Sequence, residues 1–276
     1  MHSLGDFVRH SQPSLFWCTR RLPRANREAI YTVFAFFRHL DTVVRSATTT
    51  EEKIELLNAW REEIDNIYDT KVPLTNIGRK IYKNCIRFDL PKVMWLQILD
   101  SAFTDTQTPL LAPKTDVFEK YLTGIAVVPM HLALMILAPE HPRANQELAK
   151  DLGHAVFATF ILRDIKDDAK RGRIYIPAEI LEKNGVKIGS SQEILEDKNL
   201  IYARAELAKS VDEYYKKAER LLAKMNKSTT RPLRLIMNTI RSLFDEMNVR
   251  GWEIISPKPK LSLRRRLNIL YKTLLK

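Results

Sequence analysis

Cysteine and glycine are both scarce in this sequence, and each scarcity excludes a class of protein. The two cysteines, Cys18 and Cys85, stand far apart and lack the paired spacing of a zinc or redox site, so we expect reduced thiols. Only eight glycines occur, and no window alternates apolar and polar residues for the length of a strand. The sequence therefore predicts an all-α protein without disulfides.

Long apolar runs are also missing. The longest, residues 125–138, is interrupted by Pro129 and His131 and is too short to span a bilayer as a helix. The first residues (MHSLGDFVRHSQ) contain no apolar run of the kind that a secretory signal needs. We therefore expect a cytoplasmic protein that is not integral to a membrane.

Positive charge is abundant and unevenly distributed. The net charge is +12, and the stretch from Lys258 to the end holds seven basic residues and no acidic one. Leucines lie between these charges, so residues 257–276 form a basic amphipathic segment that suits peripheral contact with the inner face of a membrane. A final helix docked on the body with its basic side in water is equally compatible. No RNA-binding or helix-turn-helix signature accompanies the charge, which argues against a nucleic-acid partner.

Apolar residues recur at helical spacing along most of the chain. One stripe covers residues 30–44 and a second covers residues 54–68. Helix starts are indicated by the threonines at 48–50, by Pro91 and by the serines at 190–191. Prolines and glycines separate the stripes, and no linker is long enough to divide the chain. The spacing predicts eight to ten helices in one compact domain.

Two carboxylates, Asp164 and Asp168, lie four residues apart on a predicted helix and therefore project from one face. Mg²⁺ is commonly held by one or two carboxylates, with water and substrate phosphates at its other positions. Basic residues that suit a diphosphate lie directly beside the pair: Arg163, Lys170, Arg171 and Arg173. The pattern indicates a Mg²⁺-diphosphate site, but an exposed helix end with local ion pairs has the same spacing.

The same stretch closely resembles a motif of a known family. Residues 161–177 (ILRDIKDDAKRGRIYIP) resemble the second aspartate-rich motif of squalene and phytoene synthases, and residues 20–45 (RRLPRANREAIYTVFAFFRHLDTVVR) resemble the first. Tyr121 fits the tyrosine element that lies between these motifs in the family. Residues 250–267 (RGWEIISPKPKLSLRRRL) look like the C-terminal signature of bacterial presqualene diphosphate and phytoene synthases. The chain is thus similar to the squalene/phytoene synthase family over nearly its whole length.

The resemblance implies a fold, a reaction and a set of site residues. Members are single-domain helical bundles around a central cavity, here residues 1–276, that join two C15 or C20 prenyl diphosphates head to head with Mg²⁺. The catalytic residues that it implies are Asp41, Tyr121, Asp164 and Asp168. The residues that it implies for metal binding are Asp164 and Asp168. The residues that it implies for diphosphate binding are Arg38, Arg163, Arg171, Arg173 and Tyr175. It does not decide whether NADPH takes part.

The first motif departs from the family pattern at its acidic positions. Where the family has two adjacent aspartates and a third one turn later, this chain has Asp41, Thr42 and Arg45. A carboxylate is thus replaced by a guanidinium, so the expected carboxylate pair cannot form. Arg45 could bridge to Asp41 one turn away, or it could take the place of a metal ion against a diphosphate, although it lacks the divalent charge.

Four further positions are bulkier or less polar than the family pattern. Phe157 and Phe160 replace a glutamine and an asparagine that precede the second motif. Val127 and Met130 replace small residues after the tyrosine element. We expect these residues to narrow the prenyl cavity and to remove polar groups from the metal face.

Three functions are consistent with these matches and departures. The first is a prenyltransferase of isoprenoid biosynthesis. The second is a catalytically inactive member that keeps the fold and binds a lipid, a membrane or a partner protein during assembly. The third is a partly active enzyme that binds one prenyl diphosphate and ionises it without condensation.

Overall fold

The computed structural model describes residues 4–275, except for the side chains of Pro13, Ser14, Cys18, Leu274 and Leu275. The expectation of a reduced thiol at Cys18 falls outside the described residues, whereas Cys85 is a buried free thiol. Within residues 4–275 the chain forms fourteen α-helices, two short π-helical turns and no β-strand. The all-α prediction is therefore confirmed.

The helices follow one another with short connections. The first seven are α1 (Leu4–Ser11), α2 (Pro13–Thr19), α3 (Arg24–Arg45), α4 (Thr50–Asp65), α5 (Asn76–Phe88), α6 (Lys92–Gln107) and α7 (Thr115–Leu122). The others are α8 (Val128–Leu137), α9 (Pro142–Ala169), α10 (Ala178–Lys183), α11 (Ser191–Glu196), α12 (Leu200–Ala223), α13 (Lys227–Arg250) and α14 (Leu263–Leu275). The π turns are Asn66–Thr70 and Thr123–Val127.

Sequence periodicity predicted fewer helices than the structure contains. The additional ones include α1, α2, α10 and α11, which have between six and eight residues each. Two turns are too short to show a repeating apolar stripe. The predicted starts are confirmed: Thr49 caps α4 and Ser190 caps α11, each through a reciprocal capping box with a glutamate three residues later. Pro91 directly precedes α6.

The longest helix, α9, is the centre of the bundle. It packs against α8, α12 and α13, and its residues Leu148, Leu152 and Leu162 have no exposed surface. Fully burying one such side chain stabilises the fold by about 1.5–3 kcal/mol. The buried side chains form one continuous cluster, to which α9 contributes along its length. Packing of α9 therefore fixes the position of the acidic motif near its C-terminal end.

The segment Thr115–Leu137, which joins α7, a π turn and α8, is unusually apolar. By length and composition alone it could span a membrane, with a mean hydropathy of 1.6. In the structure it packs against α6 and α9, and Tyr121, Leu122 and Leu132 are buried there. These contacts are those of a core helix in a globular protein.

Gly124, in the π turn, allows this segment to approach α6 closely. A Cβ atom at Gly124 would lie 2.0 Å from Ser101 Oγ and 2.3 Å from the backbone oxygen of Gln97. The Ser101 hydroxyl donates to the carbonyl oxygen of Tyr121 at 3.1 Å, so the two helices cannot separate without loss of this bond. Gly124 thus sets the distance between α6 and the helix that carries Tyr121.

The chain reverses direction directly after α9. Gly172 adopts a φ of 74°, a left-handed conformation that glycine reaches without strain. The backbone N–H of Arg173 donates to the carbonyl oxygen of Asp168 at 3.0 Å and closes the turn. The N–H of Ile174 then donates to the carbonyl oxygen of Leu110 at 2.9 Å. The turn therefore places residues 173–175 against the end of α6.

We expect the substitution Gly124→Ala to lower the free energy of unfolding by about 1–3 kcal/mol, because a methyl group would overpack the contact with α6. Thermal unfolding followed by circular dichroism measures the effect as a lower Tm. The control is Lys120→Ala, on the exposed side of the same segment, which should leave Tm nearly unchanged because alanine suits a helix. Equal Tm values for the two variants would contradict the close approach at Gly124.

Candidate active site

A cavity of about 70 Å³ lies between α3, α6, α7 and α9. Most of its wall is apolar. The charged and phenolic side chains that line it are Asp41, Arg45, Asp105, Tyr121, Asp164, Asp168 and Tyr175. The four residues that the family resemblance implies as catalytic therefore border the same cavity.

On α3, the carboxylate of Asp41 is held by two arginines. Arg38 Nη1 lies 2.6 Å from one carboxylate oxygen and Arg45 Nε lies 2.5 Å from the other. Burial lowers the pKa of Arg45, but the hydrogen bond and charge of Asp41 outweigh burial and raise that pKa above its ordinary value. The bridge predicted between Arg45 and Asp41 is therefore confirmed, and both oxygens of Asp41 are engaged.

On α9, Asp164 is held by cations from two directions. Arg163 donates to both carboxylate oxygens, at 2.9 and 2.6 Å, and Phe160 supports its guanidinium with a ring centroid 4.6 Å away. The ammonium group of Lys258, in the segment after α13, contacts Asp164 and lies 2.6 Å from Asp167. Burial raises the pKa of Asp164, but these cations outweigh burial and hold that pKa below its ordinary value.

One turn further along α9, Asp168 is buried and has a different electrostatic environment. Its side chain is 8% exposed and pairs with Arg171 in the turn that follows. Burial raises the pKa of Asp168, and the charge of Arg171 counters this only in part. The two carboxylates of the motif, Asp164 and Asp168, thus have pKa values displaced in opposite directions.

Asp105, at the end of α6, organises a buried polar cluster. Arg173 Nε donates to its carboxylate at 2.8 Å, and the hydroxyls of Tyr121 and Tyr175 donate to its other oxygen at 3.3 and 3.5 Å. Burial raises the pKa of both tyrosines above the ordinary value. Both phenols therefore stay protonated at neutral pH and serve as hydrogen-bond donors.

Aromatic rings fill the space beside this cluster. The rings of Tyr121 and Tyr175 stack with centroids 5.7 Å apart, and the edge of Phe157 meets both at about 6 Å. Phe157 and Phe160 line the cavity, as their bulk suggested, whereas Val127 and Met130 are not among its lining residues. Of the four bulky positions, those on α9 line the cavity, and the two after the tyrosine element do not.

The diphosphate-binding residues predicted from the resemblance have unequal access to a ligand. Arg38, Arg163 and Arg171 are partly exposed, each beside an aspartate. Arg173 is 13% exposed, and its Nε donates to one oxygen of Asp105, whose other oxygen accepts from Tyr175. The partly exposed arginines could therefore reach a ligand with less rearrangement than Arg173.

Sequence reasoning missed two residues of this site. Asp105 follows Ile98 and Ala102 at helical spacing, so a carboxylate on an otherwise apolar face was the available signal. Lys258 was noted only as one charge of the basic tail. Its contact with Asp164 spans 94 residues of sequence, and no local pattern predicts such a pairing.

The side chains at the two acidic motifs differ in their fitness for Mg²⁺. Asp164 and Asp168 supply two carboxylates on one helix face, which suits an ion that also takes substrate phosphate oxygens. The α3 motif supplies Asp41 alone, already paired with Arg38 and Arg45. Among residues 4–275 no three His, Cys, Asp or Glu side chains converge as a metal site. A carboxylate pair that could take part in holding a metal is thus present on α9, where Asp164 and Asp168 are themselves paired with basic side chains, and absent from the α3 motif.

Comparison with known proteins identifies the family of this chain. The family model for squalene/phytoene synthase matches residues 8–266. The chain belongs to this family. A presqualene diphosphate synthase from Sinorhizobium fredii is 29% identical over 241 residues, which cover 87% of this chain and 85% of that protein. A phytoene synthase from Mycobacterium bovis is 30% identical over 187 residues, which cover 66% of this chain and 59% of that protein.

Solved structures share the fold of this family member. A dehydrosqualene synthase in complex with ligand superposes with a TM-score of 0.85 at 21% identity and covers 99% of this chain and 94% of its own. A squalene synthase from Alicyclobacillus acidocaldarius gives a TM-score of 0.76 at 19% identity, with 90% and 93% coverage. The predicted bundle around a central cavity is therefore confirmed.

The substitutions Asp164→Asn and Asp168→Asn should alter the acid dependence of stability in opposite directions. The pKa of Asp164 lies below 3.8, so the stabilisation by its ionised form is present above about pH 4 and is lost as the pH falls. The pKa of Asp168 lies above that value, so its ionised form opposes folding, and this effect is relieved as the pH falls through the folded-state pKa.

Urea unfolding between about pH 7 and pH 3 measures both effects. As the pH falls, the stability advantage of wild type over Asp164→Asn should decrease. Over the same range, the stability of wild type relative to Asp168→Asn should increase. Each variant is the matched control for the other. Parallel pH profiles for the two would contradict the opposed electrostatic environments.

Proposed function

We propose that this protein is a transferase that condenses two prenyl diphosphates, of C15 or C20 length, head to head. The observation that carries the proposal is the meeting of Asp41, Tyr121, Asp164 and Asp168 at one apolar-walled cavity. Family membership and relatives named presqualene diphosphate synthase and phytoene synthase support the same reaction class. Carboxylates at the rim and apolar walls inside suit a substrate with a charged head and a hydrocarbon chain.

Asp164 and Asp168 are the residues that would hold Mg²⁺. Bound there with a substrate diphosphate, the ion would neutralise the charge that develops as the diphosphate leaves the allylic carbon with its electron pair. In the structure the ammonium group of Lys258 contacts Asp164, so this contact would have to be released before the ion could bind that carboxylate. Arg163 and Arg171, both at the rim, are placed to donate hydrogen bonds to the same diphosphate.

The chain's own aromatic and apolar side chains would protect the allylic cation. Tyr121 lines the cavity, and an aromatic ring attracts a cation. Its hydroxyl is tied to Asp105 and stays protonated, because burial raises its pKa, so the phenol does not become a nucleophilic phenolate. Ile125 and Ile161 line the same space and exclude water.

Entry of a prenyl chain requires movement of side chains. Ligand sites for molecules of drug size usually enclose about 300–1,000 Å³, whereas this cavity measures about 70 Å³. Phe157 and Phe160 occupy the positions where the family resemblance expects glutamine and asparagine, and both line the cavity. Rotation of these two rings would open the space without displacing a helix.

Incubation of the purified protein with radiolabelled C15 or C20 prenyl diphosphate and Mg²⁺ tests the reaction. We expect a condensed product, and a loss of about 10²–10³ in kcat for Asp164→Asn, because one charge that stabilises the transition state is removed. Asp116→Asn, at an exposed position on α7, is the matched control and should retain wild-type activity.

Wild type that forms no product under these conditions would contradict the proposal. A variant that combines Arg45→Asp, Thr42→Asp, Phe157→Gln and Phe160→Asn then identifies the reason. Product from this variant alone would show a family member whose reaction was lost through those positions. Release of diphosphate without a condensed product would show an enzyme that ionises one substrate only.

We further propose that α14 docks on an anionic membrane surface. Three exposed apolar residues, Leu263, Leu267 and Tyr271, follow one another at four-residue intervals and so form one stripe along the helix. Arginines 264 and 266 flank this stripe. The opposite side of α14 is anchored to α13 through a hydrogen bond from Asn238 to Thr273 and an ion pair from Arg265 to Glu246. An apolar stripe between cationic side chains suits the headgroup region of anionic lipid.

Cosedimentation with vesicles of phosphatidylglycerol and phosphatidylcholine tests this docking. We expect the triple variant Leu263→Ser, Leu267→Ser, Tyr271→Ser to bind at least about tenfold more weakly, since each apolar side chain that leaves water contributes about 1.5–3 kcal/mol. Val249→Ser on α13, where the valine is even more exposed to solvent, is the control and should bind like wild type. Wild-type protein that binds neither anionic nor neutral vesicles would refute the docking.

A further inference from the structure

A second, wider cleft opens beside the cavity, between α3 and α9. Its volume is about 560 Å³. The residues that line it are Arg38, Asp41, Thr42, Arg45, Ser46, Arg163 and Asp164. Three guanidinium groups and two hydroxyls thus face two carboxylates. The lining carries a net positive charge and is open to solvent, which suits an anionic ligand.

The guanidinium groups of α3 retain donors for such a ligand. Arg38 uses Nη1 on Asp41, and Arg45 uses Nε on the same carboxylate. A guanidinium carries five N–H donors, and neither arginine donates to another acceptor in the part of the chain that the structure describes. Their side chains are 45% and 52% exposed. Asp41 therefore holds two arginines side by side and leaves most of their donors to the cleft.

A divalent cation does not fit the α3 side of this cleft. Mg²⁺ requires oxygen ligands in near-ideal octahedral geometry, and Asp41 is the carboxylate available on this helix. Four residues after Asp41 stands Arg45, where α9 has the second carboxylate Asp168 four residues after Asp164. The two oxygens of Asp41 accept hydrogen bonds from two separate guanidinium groups, at 2.6 and 2.5 Å. An ion placed there would also be repelled by the fixed charges of Arg38 and Arg45.

A diphosphate fits the same geometry without a metal. The planar fork of an arginine matches two phosphate oxygens, and charge-assisted bonds of this kind are among the strongest hydrogen bonds in proteins. Arg38 and Arg45 lie seven residues, or about two helical turns, apart, and their shared contact with Asp41 brings both guanidinium groups to one carboxylate, within reach of one diphosphate. Arg163 reaches the opposite side of the cleft from α9.

We propose that this cleft binds the diphosphate of one prenyl substrate directly through the guanidinium groups of Arg38 and Arg45, without a divalent cation. The identity of the prenyl substrate rests on the proposed function, whereas recognition of a diphosphate does not. Asp41 is then a positioning residue for the two arginines rather than a metal ligand. The two ends of the site differ: α9 supplies carboxylates for a metal ion, and α3 supplies the cations themselves.

Isothermal titration of the full-length protein with inorganic pyrophosphate in excess EDTA tests the proposal without requiring turnover. Wild type should bind pyrophosphate under these conditions. Arg45→Gln should weaken the binding by about tenfold or more, because one charge-assisted contact is lost. Arg45→Lys keeps the charge but loses the fork and should fall between wild type and Arg45→Gln.

The matched control is Arg24→Gln, also on α3. Arg24 pairs with Glu28 at the same four-residue spacing at which Arg45 pairs with Asp41, but it lies outside the cleft. We expect its affinity for pyrophosphate to equal that of wild type. Thermal unfolding of each variant confirms that it is folded, since these exposed arginines contribute little to the core.

Two results would overturn the proposal. One is pyrophosphate binding by wild type that appears only when Mg²⁺ is added. The other is binding in EDTA that Arg45→Gln and Arg24→Gln weaken equally, since this would indicate a general attraction of anions to a basic protein. A titration with a prenyl thiodiphosphate distinguishes substrate from released product: tighter binding of the prenyl ligand supports the substrate assignment. Loss of turnover with retained binding in EDTA would contradict the proposed reaction and leave this inference standing.

Discussion

The site depends on the pairing of its buried and half-buried carboxylates with basic side chains of the same chain. Asp41, Asp105, Asp164 and Asp168 border a cavity with apolar walls, and each is paired with a basic side chain. Removing an ionised carboxylate from water costs free energy unless a cation or several hydrogen-bond donors accompany it. The compensating basic side chains come from different elements: one turn of α3, the turn after α9, and the segment that leads to α14. Each of these elements must therefore lie where its basic side chain can reach the carboxylate.

These compensating cations differ in how easily they can be exchanged. Arg45 is on the same helix as Asp41, one turn away, so no loop movement can remove it. Lys258 reaches Asp164 from a segment that connects α13 to α14 and has a half-exposed side chain. A ligand that displaces Lys258 would have to move this connection, at the cost of the ion pairs of Lys258 with Asp164 and Asp167. Under the proposed function, an ion at α9 would replace one partner of Asp164, whereas a diphosphate at α3 would join an arrangement that already exists.

Much of the fold and part of the site could be predicted from the sequence. Long helices can be predicted because apolar residues recur along them at helical spacing. The aspartates and arginines of the second acidic motif lie within about 15 residues of one another, so local spacing brings them together. Asp105 and Lys258 could not be predicted in the same way, because their partners are separated from them by a large part of the chain. The pairing of Arg173 with Asp105 depends on the reversal at Gly172, which only the folded backbone shows.

Arg45 stands where the family pattern has an aspartate. This change affects the electrostatics of α3 more than the simple loss of one metal-binding carboxylate would. A carboxylate pair carries two negative charges and needs an external divalent ion before a diphosphate can approach. The pair of Asp41 and Arg45 is neutral, and Arg38 adds one positive charge, so the approach of an anion is favourable from the start. A cation that is part of the chain also costs no entropy of association when the ligand binds. It carries one charge where Mg²⁺ carries two, so each of its bonds to a leaving diphosphate would be weaker, and under the proposed function the stronger electrophilic assistance would come from an ion held by Asp164 and Asp168.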